Sequence, residues 1–365
     1  MGIVLRKMPE LQTEAQRQQF WSQVGGENLV ISARTHFASQ PPHPERLSVK
    51  AAFGGRVEYG LNNARLAVDD DTYLVVNAGT EVGCRIQSAV DVHSFTVHFA
   101  DSTVAHVFGS LPQTPEDWLD HRAPQNTGVS IHFAEHLRPH DKLVTPTLRF
   151  LAKQVDRDAA NDRGWWDEQL TFLLERLVRM HAEEQEHIVG LAQVRMRTKR
   201  EIHRRIWAAT DFLLSSYDRP LTLQQLADVA CLAKYHFLRM FVAVHGLTPM
   251  EYLRCKRVAV ASRLLQSTGL SLVEIARVVG VADRSTLLRL FVDYCGLTPE
   301  EYRRRLRAVT EENTSWTRLK DLLESRVANS RRAVQRAGRD DDAAANTVAQ
   351  SDTGAASVAS SGNVA

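Results

Sequence analysis

Between Leu29 and Phe99 the chain alternates apolar and polar positions in short runs: LVISARTHF, RLSVKAAF, RVEYGL, ARLAV, TYLVVNAG, EVGCRI and VHSFTVHF. A period of two in segments rich in β-branched and aromatic residues predicts strands. Asn62-Asn63 reads as a hairpin turn, and Gly54-Gly55, Asp69 to Asp71 and Ala78-Gly79 mark further breaks. Asp69-Asp70-Asp71 reads as a solvated turn. Strands at this spacing predict a small antiparallel sandwich or barrel. From about Thr145 to His187 the period becomes helical, with Leu170, Leu173, Leu174, Leu177 and Val178 on one face. Such a stripe either packs against its own domain or forms one half of an antiparallel dimer contact.

After a basic segment, Arg195 to Arg205, the helical pattern repeats itself. Leu221 to Arg254 matches Leu270 to Arg304, with one extra residue in the second turn. The most obvious part of the repeat is Gly-Leu-Thr-Pro-x-Glu-Tyr-x-Arg, at Gly246 and again at Gly296. Self-similarity at this scale means one supersecondary unit used twice. Each copy reads as helix, tight turn, helix. In the first, Thr222 caps a helix that buries Leu223, Leu226, Ala227 and Ala230; the next helix turns Phe237, Met240, Phe241 and Val244 inward. In the second, Ser271 caps, Leu272, Ile275, Ala276 and Val279 pack, and Leu287, Leu290, Phe291 and Tyr294 face the core. The repeated stretch supplies a helix-ending glycine, a threonine cap, a proline in the first turn and a glutamate that closes a capping box.

Charge separates the halves. Residues 195–307 hold 20 Lys/Arg against 10 Asp/Glu, whereas residues 1–194 hold 18 against 25, within an overall net charge of +2. A basic helical segment with two helix-turn-helix patterns points to a polyanion, and to double-stranded DNA in particular. The basic stretch Arg195 to Arg205 reads either as a solvated linker or as added phosphate contacts.

On the residues LTLQQLADVACLA, FLRMF, GLTPMEYLR, RVAVASRLLQSTGLSLVEIARVVGVAD, LRLF and GLTPEEYRR, the stretch from about 200 to 307 resembles the DNA-binding domain of the AraC/XylS transcriptional regulators. The resemblance implies seven helices, a central helix over about Pro249 to Ser267, and two recognition helices in successive major grooves. It places Lys234, Tyr235, Leu238 and Arg239 of the first unit, and Arg284, Ser285, Thr286, Leu288 and Arg289 of the second, on the DNA side. Arg239 and Arg289 suit guanine edges, because guanidinium pairs bidentately with guanine; the alternative is that each only grips phosphate. Cys231 stands where the family has a turn glycine, which questions a left-handed backbone there. Ala233 and Ala282 replace a serine cap. The strand-rich part resembles the cupin-like sensor of the arabinose-type branch, which implies a small-molecule pocket followed by dimerising helices.

The expected architecture is a two-domain α+β chain: an N-terminal cupin-like antiparallel β-barrel or sandwich with following helices, and a C-terminal all-α tandem helix-turn-helix domain. The expected boundaries are a ligand-sensing β domain at 1–142, a helical dimerisation or linker region at 143–194, and a DNA-binding domain at 195–307. Within the last, the two units occupy about 221–245 and 270–295. A short helix at 308–337 and a disordered tail at 338–365 complete the reading. The expected partners are double-stranded DNA, RNA polymerase as the family implies, an unidentified small-molecule effector and a second copy in a homodimer; a protein partner in place of the effector is the alternative. No catalysis is expected: His93 and His98, five apart on one strand, point to opposite faces, and each lone histidine reads as a surface or core-edge residue. No cofactor or metal pattern stands out, no apolar run is long enough for a membrane span, and the four cysteines read as buried apolar residues of a cytoplasmic protein.

Overall fold

A computed structural model describes residues 2–110, 131–155, 157, 162–190 and 196–308. The expectations for 309–365, the short helix and the tail, lie outside the described residues. Contacts divide the chain into Met1–Ser215 and Ser216–Ala365.

The first unit is built on an eight-stranded sheet. Its strands are β1 (Ile3–Leu5), β2 (Leu29–Pro44), β3 (Ser48–Phe53), β4 (Arg56–Leu61), β5 (Ala64–Asp69), β6 (Thr72–Val76), β7 (Glu81–His98) and β8 (Leu137–Pro139). The main path runs β1-β2-β7-β3-β6-β8, with β4 hydrogen-bonded to β7 and β5 to β4. Every pairing is antiparallel except β1 on β2, so the sheet is mixed rather than purely antiparallel. Two of the expected strands, EVGCRI and VHSFTVHF, belong to one continuous strand, β7, which serves β4 with its first part and β3 with its last. The Asn62-Asn63 hairpin forms as expected, with both residues at positive φ (50° and 63°). The acidic turn differs from expectation. Asp69 and Asp71 are buried, and Asp69 Oδ1 accepts from the Asp71 amide (3.0 Å) and the Thr72 hydroxyl (3.1 Å). Its carboxylate closes the β5–β6 turn instead of facing water.

Alternation sends the two faces of the sheet to different cores. Val30, Val49, Ala51, Tyr73, Val75, Phe95 and Val97 face the main core, with helices α2 (Asp101–Gly109), α3 (Thr145–Val155) and α4 (Arg163–Gly190). Leu170, Leu173, Leu174 and Leu177 of α4 are completely buried here beside Trp166. The stripe is therefore used within its own unit. Leu29 and Ile31 face the other way, under α1 (Glu14–Val24), whose N-terminus is closed by a Thr13/Gln16 capping box.

Helix α5 (Met196–Ser215) groups with this first unit, whereas the sequence reading starts the DNA-binding domain at 195. The reason lies in its packed face. Ile206, Ala209 and Leu213 are buried, and Trp207 stacks on His136 at 3.8 Å. Asp211 accepts the Leu137 amide at 2.8 Å, and Ser215 O accepts from Arg56 at 2.6 Å.

The second unit contains α6 (Leu223–Val229), α7 (Lys234–His245), α8 (Pro249–Ser267), α9 (Leu272–Val278), α10 (Arg284–Cys295) and α11 (Pro299–Ala308). Helix α8, 19 residues long, spans about 28 Å at 1.5 Å per residue. It buries Leu253, Val258, Ala261 and Leu265. One helix pair packs against each part of it: Leu226, Ala227, Phe237 and Phe241 from the first, Ile275, Ala276, Leu287 and Phe291 from the second.

Candidate nucleic-acid interface

The two helix pairs repeat in atomic detail. Thr222 and Ser271 cap α6 and α9 with reciprocal boxes to Gln225 and Glu274. Helices α7 and α10 end at Gly246 (φ 72°) and Gly296 (φ 68°), whose amides donate to Val242 O and Val292 O. Thr248 and Thr298 then start α8 and α11. Each accepts the amide three residues on, while Glu251 and Glu301 accept their backbone amides at 2.9 Å. Tyr252 and Tyr302 fold back edge-on to Phe241 (5.8 Å) and Phe291 (5.1 Å). The repeated Gly-Leu-Thr-Pro stretch is the joint behind each second helix and fixes its direction.

In front of those helices the copies differ. Cys231 keeps the left-handed backbone that its side chain disfavours, with φ of 50°, where the second copy has Gly280 at 68°. The doubt raised by losing the turn glycine is thus resolved in favour of the usual turn. Ala233 caps α7 without a side-chain bond. The second copy is repaired by its extra residue: Asp283, not Ala282, is the cap, and its carboxylate accepts the Thr286 amide at 2.7 Å and hydroxyl at 3.1 Å. Those bonds hold Asp283 below the ordinary carboxylate range.

The expected DNA-side residues come together on the outer face of each second helix. Lys234, Tyr235 and Arg239 are exposed on α7, as are Arg284, Ser285 and Arg289 on α10. Tyr235 is 85% exposed. Leu238, Leu288 and Thr286 are half-buried. Leu238 and Leu288 flank the buried Phe237 and Leu287, and Thr286 is engaged by the Asp283 cap. Beside α10 an open groove of about 1050 Å³ is lined by Arg254, Arg277, Arg284 and Arg289.

A second polar site lies inside the first unit, on the sheet face turned toward α1. Pairing places Ser48 opposite His98 and Lys50 opposite Thr96, so these side chains share a face. The end of β2 and the turn after it add His43 and Glu45. Lys50 Nζ donates to Glu45 Oε2 at 2.6 Å, Ser48 Oγ to the same oxygen at 3.1 Å, and His43 and His98 approach at 3.9 and 4.0 Å. Burial raises the Glu45 carboxyl, but the charge and hydrogen bond of Lys50 outweigh it and leave it below the ordinary value. Burial drives His98 down to about 3, so it is neutral, and its Nδ1 has no hydrogen-bond partner. His43, Glu45, Lys50 and His98 line a cavity of about 20 Å³ together with Met8, Leu11, Phe20 and Trp21.

Local sequence pattern does not reveal this cluster, because its members meet only through the pairing of β3 with β7. His43, His93 and His98 are buried, whereas His36, beside Asp91, and the exposed His106 and His132 fit the surface expectation. His93 and His98 do face opposite ways: His93 meets Ser32 at 2.7 Å, and His98 meets Trp21. Among the described residues, no group of three His, Cys, Asp or Glu side chains is arranged to hold a metal ion. No helix there is long and apolar enough to cross a membrane. Cys231 is exposed and Cys295 half-buried, so only Cys84 and Cys255 are the buried thiols expected.

Comparison with known proteins bears on the second unit. Residues 226–305 match a family described as "Helix-turn-helix domain". Over 74 residues the chain is 34% identical to the bifunctional transcriptional activator/DNA repair enzyme AdaA of Bacillus subtilis, covering 20% of this chain and 35% of that protein. It is 25% identical over 138 residues to the HTH-type transcriptional regulator AlkR of Acinetobacter baylyi, covering 38% and 43%. The chain thus spans well under half the length of these two relatives. Among solved structures, the DNA-binding domain of AdpA with a target DNA aligns at 27% identity and a TM-score of 0.28, covering 28% of this chain and 94% of that one. With its duplicated capped helix pairs and the Gly-Leu-Thr-Pro joint behind each, the segment 226–305 is a helix-turn-helix domain of the AraC type.

Proposed function

We propose that this protein is a sequence-specific DNA-binding transcription regulator whose two outer helices, α7 and α10, enter successive major grooves. The observation that carries the reading is the pair of exposed cationic faces, Lys234 and Arg239 on one and Arg284 and Arg289 on the other, held by one helix of about 28 Å. That length is of the order of the ~34 Å groove repeat. Arg239 and Arg289 read base edges; Lys234, Tyr235, Ser285 and Arg284 contact backbone and flanking bases; Leu238 and Leu288 meet thymine methyls from their half-buried positions. The test is Arg239→Ala and Arg289→Ala against DNA selected by the full chain from a random library. Each substitution relaxes one base position at about 1–3 kcal/mol. Equal weakening on selected and random DNA assigns both arginines to phosphate only.

Ligand control by the first unit is part of the same proposal. Support comes from the polar lining of its cavity and the unmatched Nδ1 of His98, which favour a small polar effector over a protein partner. At about 20 Å³ the cavity accommodates a water or two. A larger effector enters only as Met8, Leu11 and the α1 rings withdraw. RNA polymerase and a second copy of the chain complete the set of proposed partners, in a cytoplasmic setting.

A further inference from the structure

The two reading helices share a scaffold but not a charge environment. From the turn to the end of the joint, residues 231–254 hold three Lys/Arg against one Asp/Glu, whereas residues 280–304 hold four against four. One glutamate in each, Glu251 or Glu301, is the capping-box residue and is common to both. The other three carboxylates occur in the second unit alone. Asp283 is the inserted residue, Asp293 stands where the first unit has Ala243, and Glu300 stands where it has Met250.

Their placement bears on the reading face. Arg284, the first residue of α10, donates Nη2 to Glu300 Oε1 at 3.1 Å, with the two side chains 60% and 50% exposed. Asp283 caps the same helix end, and its bonds to Thr286 keep it ionised. Helix-turn-helix proteins present that end to base edges. In the first unit the corresponding cap is Ala233, and Lys234 and Arg239 have no bonded carboxylate among the described residues.

We propose that the two helix-turn-helix copies bind DNA unequally: the copy carrying α7 engages at full strength, and the copy carrying α10 is held back by Glu300, which occupies Arg284 as a DNA phosphate would. This inference rests on the DNA-binding reading above. For Arg284 to reach DNA it exchanges one anion for another, so contact by the second unit releases fewer counterions than its four cations suggest. The exchange is easy, because an exposed ion pair is weak. Glu300 is thus a filter rather than a block. It tells sites where Arg284 gains a well-placed base or phosphate from sites where it gains none.

The internal repeat supplies the test substitution, Glu300→Met, which installs the first unit's residue and leaves the Thr298/Glu301 box intact. Full-length wild type, Glu300→Met, Arg284→Ala and the double variant are compared by fluorescence anisotropy. The probes are a random-sequence 30-base-pair duplex pool and a duplex selected from that pool by the wild type, each across a salt series. Circular dichroism verifies that each variant is folded. Glu300→Met is expected to tighten binding about two- to fivefold and to steepen the log–log salt slope by about 0.9, one further phosphate contact. In the Arg284→Ala background the same substitution gives no gain, and the selected duplex loses part of its advantage over the pool when Glu300 is removed. An equal gain with and without Arg284 overturns the proposal, since it reports only removal of a negative charge; no gain at all overturns it as well. Binding of both duplexes with either of these results leaves the DNA-binding reading standing. Failure of the wild type to bind either duplex overturns both.

Discussion

The turn before each reading helix offers a comparison inside one chain. Cys231 and Gly280 occupy the same place in the repeat, with φ of 50° and 68°. A side chain in the left-handed region costs about 1–2 kcal/mol, while glycine surrenders up to about 1 kcal/mol more chain entropy on folding. Cys231→Gly is therefore expected to stabilise the second unit by about 0.5–1 kcal/mol. The reverse change at Gly280 carries two penalties. Besides its φ, a Cβ built there lies 2.3 Å from Asp218 O and 2.4 Å from Asp218 C, both backbone atoms. Left-handed strain plus overpacking of about 1–3 kcal/mol puts Gly280→Ala at roughly 2–5 kcal/mol of destabilisation. Guanidinium unfolding of the full chain, followed by far-UV circular dichroism, measures both changes as shifts in midpoint at constant slope. A midpoint for Cys231→Gly at or below wild type would refute the strain argument. It would mean that the contacts of the thiol outweigh its backbone. A Gly280→Ala loss no larger than about 1 kcal/mol would show that the Asp218 backbone yields freely.

Two further outcomes concern the first unit, whose described tryptophans, Trp21, Trp165, Trp166 and Trp207, report its unfolding by fluorescence. Lys50→Met strands the Glu45 carboxylate, only 7% exposed, and should cost about 3–5 kcal/mol; Lys50→Met with Glu45→Leu should recover most of that loss. Burial lowers His98 to about 3 and His140 to about 4, from an unfolded value of 6.5. Since the unfolded chain then binds more protons, their contribution is complete above pH 6.5 and is lost as the pH falls toward 4 and below. Denaturation midpoints across that window should decline in wild type and decline less in His98→Asn.

What the sequence reveals of the second unit is nearly complete, because its signals are local. Thr222, Ser271, Thr248 and Thr298 act on amides three residues away, and the glycines end helices within one turn. Even there, Asp283 is hidden: it is the extra residue of the second turn, and it supplies the cap that Ala282 lacks. In the first unit the strands are legible and their partners are not. His43, Glu45, Lys50 and His98 meet because β3 and β7 pair in one register across 40 to 50 positions of chain, and alternation alone fixes the face but not the neighbour. The capping box Thr13-Glu14-Ala15-Gln16 does announce α1 in the sequence. The three-residue strands β1 and β8 are too short to announce themselves.

The joints have a consequence for how such a protein changes over time. Gly246-Leu247-Thr248-Pro249 and Gly296-Leu297-Thr298-Pro299 are the same four letters, doing the same work with the same atoms. They are natural splice points. A reading helix lifted out between its turn and its joint can be set into the other socket, or replaced by one from a relative, without disturbing the cap that follows. Recognition can then be exchanged a cassette at a time while the frame that carries it is inherited intact.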